Sequence, residues 1–127
     1  MVRFGYQHII ILGPESQLAA EASECAADQD AFWVYHDQLF EAQEGKNLGS
    51  YSKDNLKRYA AELGLEIESF NACLDSGNYS QTVQEESRMA ARLGIRSTPS
   101  FLINGQPVLG AQPFEVFKQY IEMELGK

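Results

Sequence analysis

Asn104-Gly105 stands between two short apolar-rich runs, Ser100-Phe101-Leu102-Ile103 and Gln106-Pro107-Val108-Leu109. A two-residue hairpin turn needs positive φ at both central positions, which Asn and Gly tolerate best, so the pattern predicts an antiparallel hairpin over 100–109. The period before it is different. Leu18, Ala22, Cys25 and Ala26 lie on one helical stripe, and Phe32, His36, Leu39 and Phe40 on the next. They predict helix from Glu15 to about Gln43, either as two helices or as one bent near Asp28–Asp30.

The segment Glu44 to Tyr51, with Gly45, Asn47, Gly49 and Ser50, reads as a loop, and Ser52 offers a cap for a helix carrying Leu56, Tyr59, Ala60 and Leu63 up to Gly64. A short helix with Ile67, Phe70, Cys73 and Leu74 ends near Ser76-Gly77. Another runs from about Tyr79 through Val83, Ala90 and Leu93 to Gly94. Pro113 opens an amphipathic closing helix with Phe114, Phe117, Ile121 and Leu125. At the other end, Val2, Phe4 and Tyr6 alternate with polar residues and Ile9–Leu12 is continuously apolar, which predicts a strand over Val2–Leu12 buried on both faces at its far end.

The 127 residues are one domain's worth, and 44% apolar against 22% charged is an ordinary globular balance. A formal charge of -8 without a cluster of Lys or Arg argues against nucleic acid as a partner. No apolar run approaches the roughly 18 to 20 residues of a membrane span. Met1–Tyr6 has no secretory-signal pattern, so either the mature protein is cytoplasmic or its start lies upstream. The spread of Glu21, Glu24, Asp28, Glu62, Glu85 and Glu86 reads as a solvated face. Trp33, Tyr35 and Phe40 read as inter-helix packing. His8 and His36 lack Cys or carboxylate at ligand spacing and read as packed or half-exposed side chains, with no metal or other cofactor implied.

The stretch Gly94-Ile95-Arg96-Ser97-Thr98-Pro99-Ser100-Phe101-Leu102-Ile103-Asn104-Gly105 resembles the cis-proline region of DsbA-family thiol-disulfide oxidoreductases, and Gly110-Ala111-Gln112-Pro113-Phe114 resembles that family's entry to its last helix. Cys25-Ala26-Ala27-Asp28-Gln29, Phe32-Trp33, Tyr35-His36-Asp37, Leu39-Phe40, and Phe70 with Cys73-Leu74 are similar to its inserted helical domain. The resemblance implies an α/β thioredoxin-like fold with a helical insertion, incomplete at the N-terminus. It would form a single domain over 1–127: 1–13 and 94–127 supply thioredoxin-core elements, 79–93 a core helix, and 14–78 the insertion.

Carried over, Thr98 would present its backbone to an extended substrate and Pro99 would be the cis residue. Disulfide exchange also needs a thiolate, which proteins obtain with a Cys at a helix N-terminus and a second Cys one turn on. This chain has no Cys-x-x-Cys. Cys25 and Cys73, 48 positions apart, could be two free core thiols, a structural disulfide or an unusual redox couple. The resemblance favours the structural disulfide, since some DsbA-like proteins carry a bridge within the inserted domain, and such a bridge suits an oxidising, extracytoplasmic compartment.

The resemblance also places the missing first strand between the Val2–Leu12 strand and the hairpin. The isolated chain is therefore expected to be marginal, a strand-swapped homodimer, or completed by another polypeptide. Three functional readings follow. One is the C-terminal part of an oxidant of extended, cysteine-containing polypeptides, inactive alone. Another is a non-catalytic peptide-binding module using Thr98, Pro99 and the hairpin edge. The third is a dithiol-free relative of the glutathione transferase kappa or isomerase type.

Overall fold

A computed structural model describes residues 1–44 and 48–127, so Gly45 and Asn47 of the expected loop lie outside the described residues. The chain forms two compact units, one of residues Gln7–Met89, the other of Met1–Tyr6 with Ala90–Lys127.

The larger unit is helical: α1 (Pro14–Ala27), α2 (Phe32–Glu41), α3 (Lys53–Glu62), α4 (Ile67–Asp75) and most of α5 (Ser80–Arg92). Gly13, at φ 104, precedes Pro14 at the first helical position, where a missing N–H costs nothing. The chain breaks after Ala27 because Asp30 takes φ 56 and Ala31 N–H turns back to Ala26 O at 3.0 Å, so the first helical stretch is two helices. Ser52 caps α3 by accepting from Asn55 N–H, and the Glu66 carboxylate caps α4 by accepting from Glu68 and Ser69 N–H. Short residues at Ala22, Ala26 and Ala60 bring α1 and α3 into close packing with Tyr35, Leu39, Leu56, Tyr59, Phe70 and Leu74. The buried tyrosines are satisfied: Tyr35 Oη donates to Leu56 O (2.8 Å) and Tyr59 Oη to Ser50 O (2.7 Å).

The expected strand over Val2–Leu12 is not formed. Among the described residues the sheet has two strands, both from the hairpin. Alternation specifies a strand only where another strand offers a ladder, and here α5 supplies different partners. His8 N–H donates to Glu86 Oε2 (2.9 Å) and Ile10 N–H to Ser87 Oγ (3.0 Å). The far end is not buried on both faces either: Ile9 and Ile10 are half-buried and Ile11 is exposed.

Two other readings change. Tyr35 is core, but Trp33 and Phe40 are 46% and 63% exposed, because α2 turns only one face to its neighbours. The acidic residues are not one solvated face: Glu21 is buried and accepts from Gln17 Nε2, and Glu24 holds His8.

The smaller unit contains β1 (Ser100–Ile103), β2 (Gln106–Leu109) and α6 (Phe114–Leu125). Ile103 pairs with Gln106 and Ser100 with Leu109, so Asn104 (φ 48) and Gly105 (φ 85) form the two-residue turn. Phe101 meets Phe117 of α6 edge to face at 4.8 Å. In this unit Val108 is the one buried residue among those described. Leu102, Leu109, Phe114, Met123 and Leu125 are exposed, so the amphipathic stripe of α6 is only partly covered.

Candidate substrate-contact loop and the cystine

The loop before β1 starts where α5 ends. Gly94 takes φ 80, its N–H bonds Ala91 O (3.0 Å), and Ile95 N–H bonds Ala90 O (3.0 Å). Ser100 Oγ donates to Ser97 O (2.7 Å), and Gly110 N–H donates to Pro99 O (2.9 Å), which ties the proline carbonyl to the exit of the hairpin. The Thr98–Pro99 peptide is cis. Both residues are exposed, and among the described residues no hydrogen bond occupies the Thr98 backbone. The loop therefore offers an open backbone N–H and C=O immediately ahead of a strand.

Cys25 on α1 and Cys73 on α4 are brought together as a disulfide, with Cα atoms 5.9 Å apart. The cystine is enclosed in the helical core, Cys25 1% and Cys73 7% exposed, and the chain has no free thiol.

The sequence pattern assigns two residues beside it no role at the cystine, placing Asp28 on a solvated face and Tyr79 at a helix start. Asp28 Oδ2 lies 3.9 Å from Cys73 Sγ, while Asp28 Oδ1 accepts a hydrogen bond from Tyr79 Oη. That bond, with partial burial behind it, pushes the Tyr79 hydroxyl up to about 12. The available signal was spacing, since Asp28 follows Cys25 by three residues and so falls on the same helical face.

His8 is 6% exposed, with Nε2 2.8 Å from Glu24 Oε1 and its ring 6.3 Å from that of Phe32, which agrees with a packed histidine. His36 stacks among Phe32, Trp33 and Phe40 on α2. Among the described residues no cluster of three or more His, Cys, Asp or Glu could hold a metal, and no helix is long and apolar enough to cross a membrane.

Residues 1–123 match the thioredoxin family. The chain belongs to that family, in its DsbA-like branch. It is 28% identical over 134 aligned residues to disulfide bond formation protein D of Bacillus subtilis (strain 168), covering 98% of this chain and 57% of that protein. It is 37% identical over 98 residues to the Na(+)/H(+) antiporter NhaA of Herminiimonas arsenicoxydans, covering 77% of this chain and 15% of that protein. This DsbA-like chain thus spans about half of the one relative and a small part of the other. Among solved structures, a thioredoxin-like oxidoreductase from Silicibacter pomeroyi DSS-3 superimposes with TM-score 0.77 at 23% identity, covering 96% of this chain and 68% of that one. Oxidised Mtb DsbA gives 0.69 at 26%, covering 92% and 63%. The fold is thioredoxin-like.

Proposed function

We propose that this chain is the substrate-contacting, C-terminal part of a DsbA-like protein-disulfide oxidoreductase, and that alone it is inactive as an oxidase. One observation carries the reading: both cysteines are spent on a single cystine inside the helical core, so no thiol remains to serve the Thr98-Pro99 loop. The redox dithiol then comes from a Cys-x-x-Cys segment upstream of Met1. Thr98 takes the backbone of an extended, cysteine-containing polypeptide by strand-like hydrogen bonding, with Pro99 holding the turn into β1.

The open Thr98 backbone also favours a second reading, a peptide-binding module without turnover. Until completed, the small sheet has free edges, which favours pairing with a second copy.

Titrating the 15N-labelled chain with an extended Cys-containing peptide and with its Ser analogue tests the contact. Shifts concentrated at 97–103 with both peptides are expected, and no response there removes the loop from the account. A Cys-x-x-Cys in frame upstream separates the oxidoreductase part from the module that only binds.

A further inference from the structure

We propose that Asp28, held by Tyr79, shields the Cys25–Cys73 cystine from attack by thiolates. The inference concerns the helical unit alone and does not depend on the role given to Thr98 and Pro99.

Cys73 is the more exposed partner, so an external thiolate reaches its Sγ first. In that step the incoming R–S⁻ forms an R–S–Sγ bond to Cys73, the Cys73–Cys25 bond breaks, and Cys25 leaves as a thiolate that takes a proton from water. A second thiol of the reductant displaces Cys73 and completes the two-electron reduction. Asp28 stands at that approach. A cystine sulfur carries no proton, so the 3.9 Å separation of Asp28 Oδ2 and Cys73 Sγ is a bare carboxylate contact and not a hydrogen bond. Tyr79 fixes the carboxylate from its other oxygen, and among the described residues no Lys, Arg or His forms an ion pair with Asp28. The negative charge therefore lies where another negative charge must arrive. A protein whose relatives exchange disulfides benefits from keeping its own cystine out of that exchange.

The test compares two reductants on the intact chain under native conditions, with acid quench, alkylation and mass spectrometry. One is glutathione, whose thiolate form is anionic; the other is cysteamine, which carries an ammonium group. Asp28→Asn keeps the volume and suits a helix C-terminus. It is expected to raise the glutathione rate relative to the cysteamine rate by about tenfold. Tyr79→Phe, which loses the bond but keeps the packed ring, is expected to shift the ratio the same way by less. Equal acceleration with both reductants would mean that the variants only loosen the helices, and that overturns the proposal, as does no change in either rate. Should Asp28→Asn fail to fold, an unchanged ratio in Tyr79→Phe is equally fatal.

Discussion

The two units solve the problem of burial in opposite ways. The helical unit closes on itself: α1 to α4 enclose Tyr35, Leu56, Phe70 and Leu74, satisfy the tyrosine hydroxyls and add a cystine between α1 and α4. The hairpin unit offers a helix and two strands with one buried side chain, and Phe114 is 73% exposed. The first has the features of an independently stable body, whereas the second has those of a surface that performs its task with other chain against it. Exchange chemistry has the same division: the unit with the two cysteines has hidden them, and the unit with the open backbone has no cysteine.

Removing the cystine should separate the units most sharply. Closing a 48-residue loop stabilises by about 4 kcal/mol in the chain-entropy model, so Cys25→Ser with Cys73→Ser should lower protection of α1 and α4 amides by that amount. Amides of β1, β2 and α6 should change little, and a parallel loss in both units would erase the distinction.

Core truncation comes next. Leu56→Ala, at a fully buried position, should cost about 3 kcal/mol in denaturant titration. Leu109→Ala, exposed on β2, should stay within about 0.5 kcal/mol. A large effect at Leu109 would show that the hairpin face is covered in solution.

Much of this contrast was legible in the sequence and some was not. The hairpin was readable because Asn104-Gly105 fixes turn type and register locally, and the helices because apolar spacing and the cap at Ser52 act within a few residues. The apolar alternation of Val2–Leu12 misled because pairing is not local: the ladder depends on a neighbour that the segment itself cannot specify, and Glu86 and Ser87 of α5 bond its amides instead. Glu21 and Glu24 misled for a similar reason, since Gln17 and His8 determine where they sit. Of the site, the Thr98-Pro99 motif was visible as a string. The pairing of Cys25 with Cys73 came through resemblance, and Asp28 with Tyr79 required three dimensions.

Smaller effects refine the helical side. Ser52→Ala removes the α3 cap and should cost about 1 kcal/mol by thermal unfolding, with Ser52→Asp restoring most of it. At acid pH, Glu66 is held below its ordinary 4.5 by hydrogen bonds from Ser69, and Asp75 below 3.8 chiefly by the hydrogen bond from Lys57. Folded-state values below unfolded ones mean stability present above those ordinary values and lost as pH falls through the folded ones. Unfolding midpoints of the helical unit should therefore drop at pH below about 4, and Glu66→Gln should flatten that drop. Glu124, lowered by hydrogen bonds from Lys127 and Asn104, gives the hairpin unit a dependence of the same sign, readable by hydrogen exchange.

The most direct test of the division of labour is a thiol-disulfide exchange assay on a reduced, cysteine-containing substrate, run with the 127-residue chain and with the same chain extended by the Cys-x-x-Cys segment proposed to lie upstream of Met1. The account predicts no oxidase turnover from the first, turnover from the second, and no dependence of that turnover on Cys25 or Cys73. Turnover by the 127-residue chain that disappears in Cys73→Ser would contradict it.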